Sequence, residues 1–149
     1  DMKYNKRIHH TDIFSTILGA ANIEPPKEIT IDGVNLIPFL TNEKKGEPHE
    51  TLYWKNVTYQ AIIHDNWKLM RSKYPKEKEY LYNLEKDPYE QNNLALSEPE
   101  IKILLHEKLN THIESMPEPS WPQSVFMPVV IDKPQTEYKE GEEVIYRPN

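Results

Sequence analysis

Four short runs rich in aromatic and β-branched residues lie between residues 51 and 84, and one long apolar-striped segment follows them. The runs are Leu52-Tyr53-Trp54, Tyr59 to His64, Trp67 to Arg71 and Tyr80 to Leu84. Tight polar turns such as Asp65-Asn66 separate them, the pattern of an antiparallel meander. Alternation along Trp67 to Arg71 is partial and assigns no faces. Residues 97–116 then place Ile101, Leu104, Leu105, Leu109, Ile113 and Met116 on one helical stripe. Ser97-x-x-Glu100 reads as a capping box, Pro99 suits the first turn, and Pro117 and Pro119 stop the helix. A stripe that wide must lie on something, and the sheet is the available partner. The expected fold class is α+β, a four-stranded antiparallel sheet covered by one long helix.

Upstream, Thr11-Asp12 reads as a helix N-cap pair, and Ile13, Phe14, Ile17, Leu18 and Ala21 follow at helical spacing. Asn22 suits a left-handed stop and Pro25-Pro26 forbid continuation, so a helix over 12–21 with one buried face is expected. Asp32-Gly33 is a turn signal. Leu36 to Leu40, interrupted by Pro38, fits a helical turn or packed loop better than a strand. Residues 41–50 lack periodicity and read as an exposed loop. Residues 117–149 form a Pro-rich tail in which 125–131 and 144–146 could add edge strands. The expected divisions are 1–45 (helix plus loop), 46–116 (sheet and long helix) and 117–149.

Composition narrows the chemistry. Eighteen basic against 24 acidic residues give a net charge of −6, which disfavours a nucleic-acid binder. No apolar run approaches the roughly 18 residues of a membrane helix. The absence of cysteine removes disulfides, thiolate zinc sites and a cysteine nucleophile. Thirteen prolines against four glycines argue for rigid connections, and neither a dinucleotide fingerprint nor a P-loop occurs. No Gly-x-Ser-x-Gly elbow is present. Asn56-Val57-Thr58 matches a glycosylation sequon, a triplet that arises often by chance.

The six histidines, His9, His10, His49, His64, His106 and His112, show no metal-ligand spacing and read as exposed or cap-associated. His64 alone, at a strand end beside Trp67, is placed near a ligand. Carboxylate clusters read as solvated faces. Tyr53, Trp54 and Trp67 form an aromatic cluster, read as core packing with a sugar- or aryl-stacking surface as the alternative. No catalytic constellation emerges.

One segment carries a longer pattern. Tyr80-Leu81-Tyr82-Asn83-Leu84-Glu85-Lys86-Asp87-Pro88-Tyr89-Glu90-Gln91-Asn92-Asn93-Leu94-Ala95 resembles the signature near the C-terminus of sulfatases, members of the alkaline-phosphatase-like superfamily. Three other segments resemble the same family in order: His10 to Ala21, with Ser15 where proline is usual; Asp32 to Leu40; and Asn66-Trp67-Lys68-Leu69. Together they cover about residues 9 to 115, with the tail outside. Physically, Asp87-Pro88 presets a turn, Glu90 and Asn93 satisfy backbone groups, and Leu94 anchors the connection. The structural signature residues are therefore Asp87, Pro88, Glu90 and Asn93.

The resemblance implies that residues 1–45 end a catalytic N-terminal domain and that 46–116 are the small C-terminal subdomain. It implies a parent that hydrolyses sulfate esters with formylglycine and calcium. The Cys/Ser-x-Pro-x-Arg nucleophile motif is missing here; Ser115-Met116-Pro117 has neither its spacing nor its arginine. No cofactor is therefore expected in this chain, and calcium is expected in the parent. The subdomain borders the active-site mouth in the family, so Trp54, Lys55, His64 and Trp67 are the substrate-contact candidates. Expected partners are the N-terminal sulfatase domain and a sulfated small molecule or glycan, with self-association of the isolated chain as a further outcome. Family habit is periplasmic or secreted in bacteria and lysosomal or secreted in animals. Two alternatives stand beside this: a phosphodiesterase or phosphonate hydrolase of the same superfamily, and a non-catalytic binding module for sulfated sugars.

Overall fold

A computed structural model describes residues 3–56, 59–73, 77–117, 129–131, 137, 139 and 146–148. The chain divides into two compact units, residues 1–52 and 53–149, each described by itself.

In the first unit, α1 spans Asp12–Ala20 and α2 spans Ile37–Leu40. Asn22 takes the expected left-handed conformation (φ 54°) just past α1. Thr11 stands at the N-cap but is helical itself and makes no side-chain cap bond. Asp12 is instead fully buried, and its carboxylate bonds elsewhere. The expected buried apolar face is not found on α1: Ile13, Phe14 and Ile17 are 60%, 57% and 60% exposed. The Asp32-Gly33 pair does not make a left-handed turn, since Gly33 lacks a positive φ. Its glycine serves a close approach, because a Cβ there would stand 2.1 Å from the Thr11 carbonyl oxygen. The Leu36 to Leu40 segment forms the expected helical turn, with Pro38 in its first turn where no N–H is required.

The Ser15 hydroxyl, at the position where proline is usual, donates to the Gly33 carbonyl at 2.8 Å. Thr16 Oγ1 accepts the Leu36 N–H at 3.0 Å and Asn35 Oδ1 the Ile37 N–H at 3.0 Å. The Ser15 and Thr16 bonds tie α1 to the 33–36 segment, and the Asn35 bond is local to that segment.

The four-stranded sheet has the order β1-β2-β3-β4, with β1 Thr51–Lys55, β2 Tyr59–His64, β3 Trp67–Ser72 and β4 Lys78–Asn83. Each strand lies within a residue or two of its sequence expectation. β2 pairs antiparallel with β3 from Tyr59↔Ser72 to His64↔Trp67, and β3 with β4 from Trp67↔Asn83 to Ser72↔Lys78. Asp65, in the turn of the β2–β3 hairpin, has φ 49°, which aspartate tolerates better than most residues.

Helix α3 spans Pro99–Ser115 with Pro99 at its start. The Ser97 capping box does not form: Glu98 is the N-cap residue without a side-chain cap bond, and Ser97 Oγ donates to the Leu94 carbonyl at 3.3 Å. Leu105 and Leu109 are buried against Ile62, Leu69, Leu81 and Ala95, and Ile101 and Ile113 pack at the margin. Leu104 and Met116 are exposed, so the apolar stripe is wider than the contact. A sheet with one helix laid on it is the α+β arrangement anticipated.

In the tail, β5 Val129–Ile131 and β6 Tyr146–Pro148 pair with each other as a separate antiparallel ladder and do not extend the four-stranded sheet. The rest of the 125–128 and 144–145 expectations lies outside the described residues, as does most of the tail. Among the described residues no helix is long and apolar enough to cross a membrane.

Candidate functional site

The four substrate-contact candidates fall into two pairs. His64 and Trp67 face each other across the β2–β3 hairpin at the last register position. Both are half-buried, and Trp67 packs against the core. His64 Nε2 stands 3.7 Å from the Asp65 carboxylate. Trp54 and Lys55, both exposed, end β1, and the next residue, Asn56, donates its N–H to the Tyr59 carbonyl at 2.8 Å. They therefore stand at the opposite end of β2, whose six residues separate the ends by about 16 Å. The sheet does not bring all four together around one small ligand.

The β4–α3 connection shows how the signature residues act. Asn93 Oδ1 accepts the N–H groups of Leu81 and Ala95, each at 3.0 Å, and its Nδ2 donates to the Glu79 carbonyl at 3.0 Å. One amide thus substitutes for a missing strand beside β4. Asp87, followed by Pro88 in the turn, accepts the Asn92 N–H at 2.7 Å. Backbone N–H groups of Gln91 and Asn92 hold its carboxyl below the ordinary value. Glu90 departs from the expectation. It sits at φ 56° and its carboxylate pairs with Lys68 Nζ at 2.7 and 2.8 Å, bonding a side chain rather than the backbone.

Among the described residues, the most buried ionisable group is one that sequence reading assigned to a cap. Asp12 Oδ1 accepts the Val34 N–H at 2.9 Å and Oδ2 the His9 N–H at 2.7 Å. His49 Nε2 lies 2.8 Å from both oxygens. Burial pushes this carboxyl up, but the two N–H groups and the His49 ring outweigh it and hold it below the ordinary carboxylate value. His9 is shifted down, first by burial and then by His10, against the opposing pull of Asp12. Its Nδ1 lies 3.0 Å from the Thr11 hydroxyl. The hydroxyl and the carboxylate therefore engage different imidazoles, and no Thr-His-Asp relay is assembled. His49, read as part of an exposed loop, is in fact largely buried. Nothing local in its sequence reveals that, because its partner is 37 residues away.

A second polar network lies under α3. Glu79 bonds His106 Nε2 at 2.6 Å and Lys102 at 3.4 Å, and Arg71 reaches Gln60 and His106. His112 stacks on Tyr53 with ring centroids 3.9 Å apart and planes 9° apart. Among the described residues no three His, Asp or Glu side chains converge on a metal position. Every carboxylate discussed above is committed to backbone or side-chain partners.

Solved structures share this fold. One, determined with its substrate D-glucosamine-2-N,6-O-disulfate, aligns at a TM-score of 0.52 and 23% identity over 74% of this chain and 25% of that chain. The phosphonate monoester hydrolase of Agrobacterium radiobacter aligns at a TM-score of 0.51 and 22% identity over 69% of this chain and 24% of that chain. In sequence, the uncharacterised sulfatase YdeN of Escherichia coli (strain K12) is 47% identical over 51 residues, 34% of this chain and 9% of that protein. The chain thus spans a quarter or less of the proteins it resembles. Residues 1–118 match the family described as N-sulphoglucosamine sulphohydrolase, C-terminal. This chain accordingly belongs to that family and represents the C-terminal region of a sulfatase.

Proposed function

We propose that the chain serves a sulfuric ester hydrolase as the structural element that completes its catalytic domain and shapes the substrate mouth. The observation that carries this is α1, which is inside out as it stands. Its charged residue is buried, and Ile13, Phe14 and Ile17 face solvent. Burying three such side chains is worth about 1.5–3 kcal/mol each, so a helix of this kind is built to be covered. The N-terminal sulfatase domain is the partner proposed, and the nucleophile, the formylglycine chemistry and the calcium are assigned to it. The substrate proposed is a sulfated small molecule or glycan. Of the two candidate pairs, the His64–Trp67 hairpin end offers a half-buried imidazole beside an indole, and Trp54–Lys55 an exposed indole and an exposed cation at successive positions of β1.

The test is the activity of the longer natural chain carrying this segment. Turnover of an aryl sulfate, lost on truncation before residue 1, supports the reading. A second reading is favoured by the phosphonate hydrolase among the structural neighbours. Preferential turnover of an aryl phosphonate monoester would establish it instead. Saturable binding of sulfated sugars with no turnover of either ester would indicate a non-catalytic module.

A further inference from the structure

Residues 41–47 are exposed without a break. They carry one of the two places in the chain where Lys or Arg residues are adjacent, Lys44-Lys45; the other is Lys6-Arg7. Lys44 is engaged: its N–H donates to the Pro38 carbonyl at 2.8 Å, and its ammonium lies 5.7 Å from the centre of the Phe39 ring. Lys45 and Gly46 make no hydrogen bond or ion pair with any described residue. Gly46 sits at φ 95°, and a Cβ built on it would meet nothing within 4 Å. Exposed loop tips whose backbone is not held by hydrogen bonds are where endoproteases cut. We propose that the Lys45–Gly46 bond is a processing site for a trypsin-like endoprotease, and that the two products stay joined.

The class of enzyme follows from the cation. A protease of this class has a carboxylate at the base of its specificity pocket and takes a lysine or arginine there. Its substrate must lie extended, and the structure withholds the rival sites from that shape. Lys6 Nζ pairs with Glu47 at 3.0 Å, and the N–H of half-buried Arg7 donates to the same carboxylate at 3.4 Å. Lys27 is exposed, but it lies in a turn closed by the Ile29 N–H on the Pro26 carbonyl at 3.1 Å. Hydrolysis consumes one water. The C–N bond breaks, the hydroxyl joins the Lys45 carbonyl carbon, and the proton goes to the Gly46 nitrogen. The new carboxylate then sits on a lysine that follows another lysine, and the new ammonium precedes Glu47, so neither terminus meets a like charge next in sequence. Two contacts span the cut inside the first unit: Glu47 with Lys6 and Arg7, and His49 Nε2 with both Asp12 oxygens at 2.8 Å. They hold residues after the nick to residues before it. The proposal is independent of the sulfatase reading, because it uses neither candidate contact pair.

The experiment is limited digestion of the folded 149-residue chain with a trace of trypsin at pH 7.5, with the cuts located by intact-mass spectrometry. Trypsin accepts both lysine and arginine, so Arg7 and Lys27 compete on equal terms. The expected result is that the first cut between residues 3 and 117 falls after Lys45. The fragments should elute together with the uncut chain on a native column and separate in urea. In the K44Q/K45Q double variant this cut should slow about a hundredfold or more, because a pocket built for a cation rejects a neutral amide. Both side chains are exposed, and an unchanged melting temperature confirms that the variant folds. Nicked His49→Ala should release its fragments at lower urea than the nicked parent. A first cut after Arg7 or Lys27, or an undiminished cutting rate in the double variant, overturns the processing site. Fragments that part on the native column, or equal release points with and without His49, overturn the claim that the products stay joined by these contacts.

Discussion

His49 Nε2 stands 2.8 Å from both carboxylate oxygens of Asp12, a residue with no solvent exposure, across 37 positions of sequence. That carboxylate also takes the His9 and Val34 N–H groups. It therefore joins the start of α1, the 33–37 segment and the 49–50 approach to β1 at one point. Replacing it removes an acceptor from three partly buried donors at once. Asp12→Ala should cost about 3–5 kcal/mol, because three hydrogen bonds to one buried carboxylate are lost together. Asp12→Asn, which keeps one acceptor oxygen, should cost less. Urea unfolding of the three proteins measures both values.

The same cluster sets a pH dependence. His9 is depressed from 6.5, so the unfolded chain binds more protons than the folded one in the window below that value. Stability must then fall as pH drops from 6.5 through the folded His9 value. Asp12 is depressed from 3.8, so its contribution is fully present above 3.8 and is lost as pH falls further. Melting temperatures should show two successive declines on acidification. His9→Gln should flatten the first while leaving the second. A single decline below pH 3.8 in both proteins would contradict the depressed His9.

Gly33 and Gly19 make a paired prediction. A Cβ at Gly33 would stand 2.1 Å from a backbone carbonyl oxygen of Thr11, whereas at Gly19 the nearest atom, at 2.1 Å, belongs to the Asn35 side chain. Side chains rotate away and backbone does not. Gly33→Ala should therefore destabilise by about 2–3 kcal/mol, near the upper end for overpacking. Gly19→Ala should cost less, chiefly the Ile37 N–H bond that Asn35 accepts. Chemical denaturation of the two variants ranks them.

Asn93 accepts from Leu81 and Ala95 and donates to the Glu79 carbonyl. Asn93→Ala should cost about 2–3 kcal/mol, since three hydrogen bonds are lost at a partly solvated site. Asn93→Asp should recover part of that, because the two accepting bonds persist. Hydrogen exchange at the Leu81 amide reports the local effect, and acceleration there without global unfolding would match the predicted role.

Phe14 separates the isolated chain from the longer protein proposed for it. At 57% exposure, Phe14→Ser should change the stability of the 149-residue chain by less than about 0.5 kcal/mol. In the longer chain, where α1 is covered, the same change should cost about 3 kcal/mol. Light scattering of the isolated chain should also show self-association that the substitution reduces, since the Ile13, Phe14 and Ile17 face is otherwise bare. Equal effects in both chains would remove α1 as the docking face.

The sequence alone determined the sheet, its four strands, the helix that covers it and the family signature. Period-2 and period-3.6 patterns are local, and so are Asp65-Asn66, Pro99 and Asn22, which act within a few residues of themselves. The role of Asn93 was legible for the same reason, because its amide serves a connection written into one continuous stretch. Tertiary structure alone decided which side of α1 is buried, where His49 sits and what Glu90 pairs with. In each case the partner is distant in sequence: Val34 and His49 for Asp12, Lys68 for Glu90. The α1 pattern misled because periodicity reports that a face is apolar and not what covers it. The substrate-contact residues divided for a geometric reason: Trp54–Lys55 and His64–Trp67, close in sequence, lie at opposite ends of β2 once the hairpins fold.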